Sequence, residues 1–249
     1  MPRLRWISTS VLCLTVLCPT ILLSKEVWRK IETGIWYTKI EASSGSIHAV
    51  KIDPHLYRFG VALPSEMGRV SSTVRGLAIK SGAKVAINGG FFTPEYHPLG
   101  LIIDNGKVIN PVKKMSWWGI FYISDLRPYI VHTSEFKGEA GIETAIQCGP
   151  RLVINGEIPR LKEGVAERSG VCIDKDGNVI LVVTQNLMLS LQEFASVLKG
   201  GGEAGGLGCV NALNLDGGRS TQMYIKTRGL DLSIPGANEI ADAIVVVPR

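Results

Sequence analysis

Between residues 34 and 63 apolar and polar side chains alternate. The alternation marks three half-buried strands, over residues 34–40, 46–52 and 57–63. The period then lengthens. Ser71-Ser72 offers an N-cap, and Val74, Leu77 and Ala78 recur at helical spacing, which predicts a short helix over residues 73–81 that Gly82 ends. Residues 84–87 are strand-like again and run into Asn88-Gly89-Gly90-Phe91-Phe92. Three hairpin dipeptides follow. Asn105-Gly106 joins residues 101–103 to 108–109, Asn155-Gly156 joins 152–154 to Ile158, and Asp176-Gly177 joins 171–173 to 179–183. Ser190-Leu191-Gln192-Glu193 is a capping box, with a hydroxyl at the N-cap and a carboxylate three residues on. It opens a helix to about Lys199 with Leu191, Phe194, Ala195 and Leu198 on one face. Gly200-Gly201-Gly202 stops that helix, and a flexible glycine-rich loop continues to Gly208. No Gly-Lys-Ser/Thr follows, so it is not a Walker-type phosphate loop. Residues 210–215 and 243–247 complete the set of strands. With no internal repeat and no low-complexity linker, the pattern predicts an α+β fold: a mixed, largely antiparallel sheet with a few helices in a single compact domain.

The first 24 residues follow a different pattern. Arg3 and Arg5 precede an apolar or small run over residues 7–23, and Lys25 and Glu26 end it, as in a secretory signal. No A-x-A-like triplet precedes Lys25, so an uncleaved N-terminal anchor is the alternative. Neither Cys13 nor Cys18 follows a small residue, which argues against a lipoprotein signal. The domain is then residues 25–249, secreted or periplasmic, meeting a membrane only through the N-terminal segment if that is retained. Without Arg3 and Arg5 the chain has 25 basic and 22 acidic side chains, a net charge of +3. The charges are scattered and make no nucleic-acid footprint. Lys113-Lys114 and Arg160/Lys162 read as solvated surface. Cys148, Cys172 and Cys209 lack C-x-x-C spacing, and the chain has only four histidines, so a Cys/His zinc site is not expected. The three read as buried free thiols, with one pair bridged in an oxidising compartment as the alternative.

Candidate chemistry gathers at turns. Residues 210–215 deliver Asp216 into Gly217-Gly218-Arg219-Ser220-Thr221. A carboxylate, a guanidinium and exposed amides in one turn can do acid/base work and hold an anion. The plain alternative is an Asp-Gly hairpin with polar decoration. Asn88-Gly89-Gly90 repeats the arrangement: a polar residue at a strand end, then two glycines. Phe91-Phe92 beside it can stack on a sugar or belong to the core. Glu167-Arg168-Ser169-Gly170 enters another strand, and Arg168 matters if it points to the Asp216 turn, because its fork suits phosphate. Gln147-Cys148-Gly149-Pro150-Arg151 is a further glycine-bearing loop. His97 follows Asn88 by nine residues in a Pro-bounded loop. No Gly-x-Ser-x-Gly elbow and no recognisable triad is present.

Taken in order, these blocks resemble the phosphodiester glycosidase family, which includes the mannose 6-phosphate uncovering enzyme and many bacterial secreted proteins. The resemblance is carried by Asn88-Gly89-Gly90-Phe91-Phe92, Leu99-Gly100, Gln147-Cys148-Gly149-Pro150-Arg151-Leu152-Val153, Arg168-Ser169-Gly170-Val171 and Ala212-Leu213-Asn214-Leu215-Asp216-Gly217-Gly218-Arg219-Ser220-Thr221. It implies hydrolysis of a sugar-1-phosphodiester and maps the family pattern onto Asn88, Gly89, Gly90, Gly149, Pro150, Arg168, Asp216, Gly217, Gly218 and Ser220. Arg219 departs from it, standing where a third small residue is usual, and Ser169 stands where Thr is common. Arg219 is therefore expected to add a phosphate ligand or narrow the pocket.

On this reading Asp216 is nucleophile, base or electrostatic stabiliser of an oxocarbenium-like state. Arg168, with Arg219, neutralises the phosphodiester. Amides of Gly89-Gly90 and Gly217-Gly218 act as preorganised donors. Asn88 binds a sugar hydroxyl or orients Asp216, and Gly149, Ser220 and His97 complete the substrate contacts. Glu95 and Glu167 are the candidates for a second carboxylate. No cofactor is expected. A divalent cation is the alternative to that carboxylate, though no dense acidic cluster is present to hold one. The partner is a carbohydrate or sugar phosphate. A non-catalytic carbohydrate-binding or envelope protein on the same fold is the rival reading.

Overall fold

The computed structural model describes residues 28–138, 141–201 and 206–249. The N-terminal signal or anchor and part of the glycine-rich loop after Gly201 lie outside the described residues. Three antiparallel sheets make the frame. The first has seven strands, ordered Arg29–Glu32, Ile35–Glu41, Ser46–Ile52, Val179–Gln185, Ser169–Asp174, Cys209–Asn214 and Arg151–Val153. The second runs Lys107–Asn110, Ile102–Asp104, Ile142–Cys148, Gly119–Ser124, Arg127–His132. The third runs Asp231–Ile234, Met223–Lys226, Val85–Asn88, Ala243–Pro248, Tyr57–Ala62. A two-stranded ribbon, Val165–Ala166 with Leu189–Ser190, stands apart. Every strand pair among the described residues is antiparallel, so the expected parallel admixture is not found there.

The sheets close on one core. Val50, Val171 and Leu213 of the first sheet meet Phe121 and Ile146 of the second and Phe59, Ile87 and Ile244 of the third. The helix Leu191–Lys199 covers the opposite face of the first sheet, where Phe194 and Leu198 pack on Ala49, Val182 and Ala212. This double coverage explains why residues 179–183 are apolar without a break. Val179, Leu181 and Val183 face the central core, while Ile180 and Val182 face the helix. The second helix, Val74–Ser81, packs Leu77 and Ala78 on Ala86, Ala243 and Val245 of the third sheet.

Local signals place most elements. The Ser190/Glu193 capping box forms as expected, with Glu193 N–H donating to Ser190 Oγ over 3.1 Å. The helix Val74–Ser81 is capped one residue later than expected. Thr73 Oγ1 accepts the Gly76 N–H, while Ser72 is held in a bridge to Ile240. The hairpins at Asn105-Gly106 and Asp176-Gly177 are present. That at Asn155-Gly156 is reduced to the single bridge Ile154–Glu157.

The cysteine expectation needs correction. Cys172 and Cys209 form a disulfide, with Cα atoms 5.9 Å apart, and only Cys148 is a buried free thiol. They are 37 residues apart in sequence, and the neighbouring strands Ser169–Asp174 and Cys209–Asn214 bring them together. Closing a loop of that length restrains the unfolded chain by about 3–4 kcal/mol. Reduction, or Cys172→Ser, is expected to lower Tm by roughly 6–15 °C in a calorimetric scan without removing the native sheet signature. An unchanged Tm contradicts the pairing.

Candidate functional site

Asp216 sits where the chain leaves the first sheet for the third. After Cys209–Asn214 it passes through Leu215 and Asp216 into the 3-10 turn Gly218–Ser220, and then into Met223–Lys226. The turn is therefore a crossover between sheets and not the decorated hairpin. Its backbone is pinned from both sides. Asp216 N–H donates to Gly89 O over 3.0 Å, and Asn88 Nδ2 donates to Asp216 O over 2.6 Å. The carboxylate accepts the Gly217 N–H over 3.0 Å and a bond from the Ser220 hydroxyl. Burial raises its pKa above the ordinary carboxylate value, and those two donors hold the rise back.

Asn88 is buried and bonded through both ends of its side-chain amide. Besides donating to Asp216 O, it accepts at Oδ1 from Ser169 Oγ at 2.8 Å and from Gln222 N–H at 3.1 Å. Of its two expected roles, the structure supports orienting Asp216. The glycine amides are also committed inward, contrary to expectation. Gly89 N–H donates to Asp242 O, and Gly90 N–H to Asp242 Oδ1. Gly217 N–H closes on Asp216 itself, and Gly218 N–H donates to Glu167 O. None of the four amides is a free donor. The glycines serve close approach instead. A Cβ on Gly89 would fall 1.9 Å from Asp242 Oδ1, and one on Gly217 would fall 2.7 Å from Glu167 O.

A cleft of about 530 Å³ opens over Asp216. Phe91, Trp117, Leu161 and Leu191 form apolar walls, with the cis Gly149-Pro150 turn and Asn214 at the base. Trp117 is 42% exposed and stands edge-on to buried Trp118. Asn214 donates to Gly149 O and Leu215 O, which leaves its Oδ1 buried and without a protein partner. Arg160, Lys162, Glu163 and Arg168 complete the lining. A larger cleft, about 830 Å³, lies by Arg58, Ile103 and Arg249 and holds none of these groups.

The cations differ from expectation. Arg168 lines the cleft, but its Nε donates to Leu189 O at 2.8 Å and a terminal nitrogen to Gly164 O at 2.6 Å. Two of its N–H donors thus tie the Gly164 segment and the ribbon strand beside the cleft, and the rest of the fork has no protein partner among these bonds. Arg219 is exposed and absent from the lining; its Nε donates to Asn238 Oδ1 over 2.9 Å. Neither a phosphate contact nor a narrowed pocket follows from it. Arg160 and Lys162, read as solvated surface, are the cations at the cleft, and Lys162 Nζ stands 5.7 Å from the Trp117 ring centroid.

The expected second carboxylates are elsewhere. Glu95 and His97 border a separate pocket with Arg69 and Ala241. Glu167 is outside the cleft lining and accepts the Asn186 N–H at 2.7 Å. Glu163 lines the rim, and Asp242 lies buried behind the Gly89-Gly90 turn. Asp242 carries the signal used for Asn88 and Asp216, a lone polar residue at the end of an apolar strand, here ahead of Ala243–Pro248. The Trp117-Trp118 pair was visible too, but only the fold distinguishes the cleft residue from the core one. Among the described residues no group of three or more His, Cys, Asp or Glu is placed to hold a metal ion.

The family model described as phosphodiester glycosidase matches residues 81–247, a stretch that contains Asn88, Gly149, Arg168, Asp216 and Asp242. An uncharacterised Escherichia coli (strain K12) protein, YigE, is 32% identical over 197 residues, covering 73% of this chain and 75% of that protein. The zebrafish N-acetylglucosamine-1-phosphodiester alpha-N-acetylglucosaminidase catalytic domain, auto-inhibited by its pro-peptide, superposes with a TM-score of 0.67 at 18% identity, over 93% of this chain and 92% of that one. A hypothetical protein from Synechocystis gives a TM-score of 0.63 at 18% identity; 91% of this chain is covered, and it spans 64% of that chain. At such identities the solved structures speak for the fold. The family match, which spans two thirds of the chain, shows that it belongs to the phosphodiester glycosidase family.

Proposed function

We propose that this protein hydrolyses the bond between a sugar anomeric carbon and a phosphodiester in an extracellular or envelope glycan. The observation that carries the reading is Asp216: a carboxylate rigidly held between two sheets, partly desolvated, at the base of a cleft with an aromatic wall and a cationic rim. The ionised carboxylate lies beneath the anomeric carbon, as nucleophile, base or stabiliser of positive charge. The phosphate ester leaves as an anion of low basicity, which lessens the demand for a general acid. Arg160 and Lys162 balance its charge, while Arg168 holds the segment that carries them. Trp117 and Phe91 offer faces for the sugar, and the unpartnered Asn214 Oδ1 accepts one of its hydroxyls. The zebrafish protein is named for a sugar-1-phosphodiester substrate, which supports the class of bond.

The Cys172–Cys209 bridge and the basic-then-apolar N-terminus support a secreted or periplasmic location. A non-catalytic carbohydrate binder is the second reading. The commitment of the turn amides and of two Arg168 donors to internal bonds favours it, because fewer groups are left to stabilise a transition state.

Purified protein offered an activated sugar-1-phosphodiester is expected to release sugar and phosphate ester, and Asp216→Asn to lower kcat by at least about 10²-fold while still binding substrate. Equal turnover by the variant removes Asp216 from the mechanism. Ligand binding by the wild type with no turnover across a broad panel selects the binder. Arg160→Ala and Lys162→Ala are each expected to raise KM roughly tenfold with a smaller effect on kcat. The reaction needs Asp216 ionised, and burial raises its pKa, so kcat/KM is expected to fall on acidification through an apparent pKa above the ordinary 3.8. A wild-type kcat/KM that does not fall on acidification contradicts this role of Asp216.

A further inference from the structure

Asp242 is a buried carboxyl beside the cleft machinery that the reaction scheme above does not use. It is 2% exposed, and Oδ2 is buried without a hydrogen-bond partner. Oδ1 accepts the Gly90 N–H at 2.7 Å, its main-chain carbonyl accepts the Gly89 N–H at 3.0 Å, and Gly89 O accepts the Asp216 N–H at 3.0 Å. A continuous chain of bonds thus runs from Asp242 through the Gly89-Gly90 turn to Asp216. Gly89 is a glycine because Asp242 Oδ1 occupies the space a side chain would need. No cation forms an ion pair with either carboxylate among the described residues. Two neighbouring carboxylates in a desolvated site without a cation do not both ionise readily.

We propose that Asp242 is the positioning residue of Asp216, acting in its protonated form through the Gly89-Gly90 turn, so that the pair carries a single negative charge when the cleft is competent. The catalytic part of this inference rests on the reading of Asp216 given above. The titratable surroundings agree with it. Burial pushes Asp242 up to about 7; the Gly90 amide pulls it down, and the Asp216 charge adds a smaller upward push. The strand Ile142–Cys148 presents Cys148, whose thiol burial and both carboxylates keep protonated. The Gly89-Gly90 turn brings no titratable group. Arg69, Glu95 and His97 lie by Ala241 in the separate pocket, and none contributes to the Asp242 shift. Above its pKa, Asp242 adds a second negative charge behind Asp216. That charge opposes binding of an anionic phosphodiester.

The test is a ¹³C titration of the aspartate side-chain carboxyls on the full chain. In the wild type one Asp carboxyl is expected to titrate near pH 7. The signal should vanish in Asp242→Asn and move to lower pH in Asp216→Asn, where the neighbouring charge is gone. In turnover assays Asp242→Asn, which keeps an acceptor for Gly90, should exceed Asp242→Ala by roughly tenfold or more and lose the alkaline rise in KM shown by the wild type. Absence of any Asp titration above pH 5 in the wild type, or a signal unmoved by Asp216→Asn, overturns the shared charge. Equal turnover by the Asn and Ala variants overturns the positioning role. A wild type without turnover sinks the hydrolase reading, and the titration then decides the Asp216–Asp242 coupling on its own.

Discussion

Asn88 donates its side-chain amide to the main-chain carbonyl of Asp216, and the position of the Asp216 carboxylate depends on that buried bond. Asn88 ends a strand of the third sheet, whereas Asp216 follows a strand of the first. The bond is therefore a joint between sheets, and Ser169 and Gln222 are tied into it through Asn88 Oδ1. In a desolvated interior, each of these groups would be costly to leave unpaired. The joint holds because every member is satisfied. A carboxylate mounted this way has little freedom to reorganise, which is the property an electrostatic role requires.

The same constraint governs the glycines. Two Gly-Gly turns beside polar residues suggest free amides waiting for an anion. Here the strand ends approach so closely that the amides bond one another's loops and side chains. On the proposed reading, anion recognition falls to Arg160 and Lys162, which line the cleft on the segment that leads into the ribbon strand Val165–Ala166. Arg168 anchors that segment through two carbonyls, a use of its fork that differs from direct phosphate binding. Recognition on a loop over a rigid carboxylate mount lets substrate preference change without disturbing the joint. Arg219 is outside this arrangement, turned toward Asn238, so its unusual place in the family pattern has no counterpart in the cleft.

Much of the molecule was legible from its side-chain pattern. The capping box at Ser190 and the hairpins at Asn105-Gly106 and Asp176-Gly177 depend on contacts within a few residues, and the strands around residues 46–52 and 179–183 show in their apolar pattern although they pair with each other across the sheet. Their signals survive folding because local geometry sets them. The strands Gly119–Ser124 and Arg127–His132 were not anticipated, because their turn uses Asp125-Leu126 with positive φ and no glycine. The Cys172–Cys209 bridge escaped for a different reason: strand register, which spacing does not encode, creates it. For the site, Asp216 and Asn88 were recognised as one constellation, but Glu95 and His97 were grouped with them only by nearness in sequence. The chain turns away between Phe92 and Pro98 and carries both to another pocket.

The sequence by itself determined the antiparallel elements, their caps and turns, and the ordered motifs that identify the family, because each rests on neighbouring residues or on a fixed order along the chain. The tertiary structure alone decided what each polar residue is for. Direction and burial are set where three sheets converge, and there Asp242 comes up behind Asp216, the glycine amides turn inward, and Arg160 and Lys162 reach the cleft. The Asp-Gly-Gly turn that reads as a hairpin becomes a crossover for the same reason: its two flanking strands pair in different sheets.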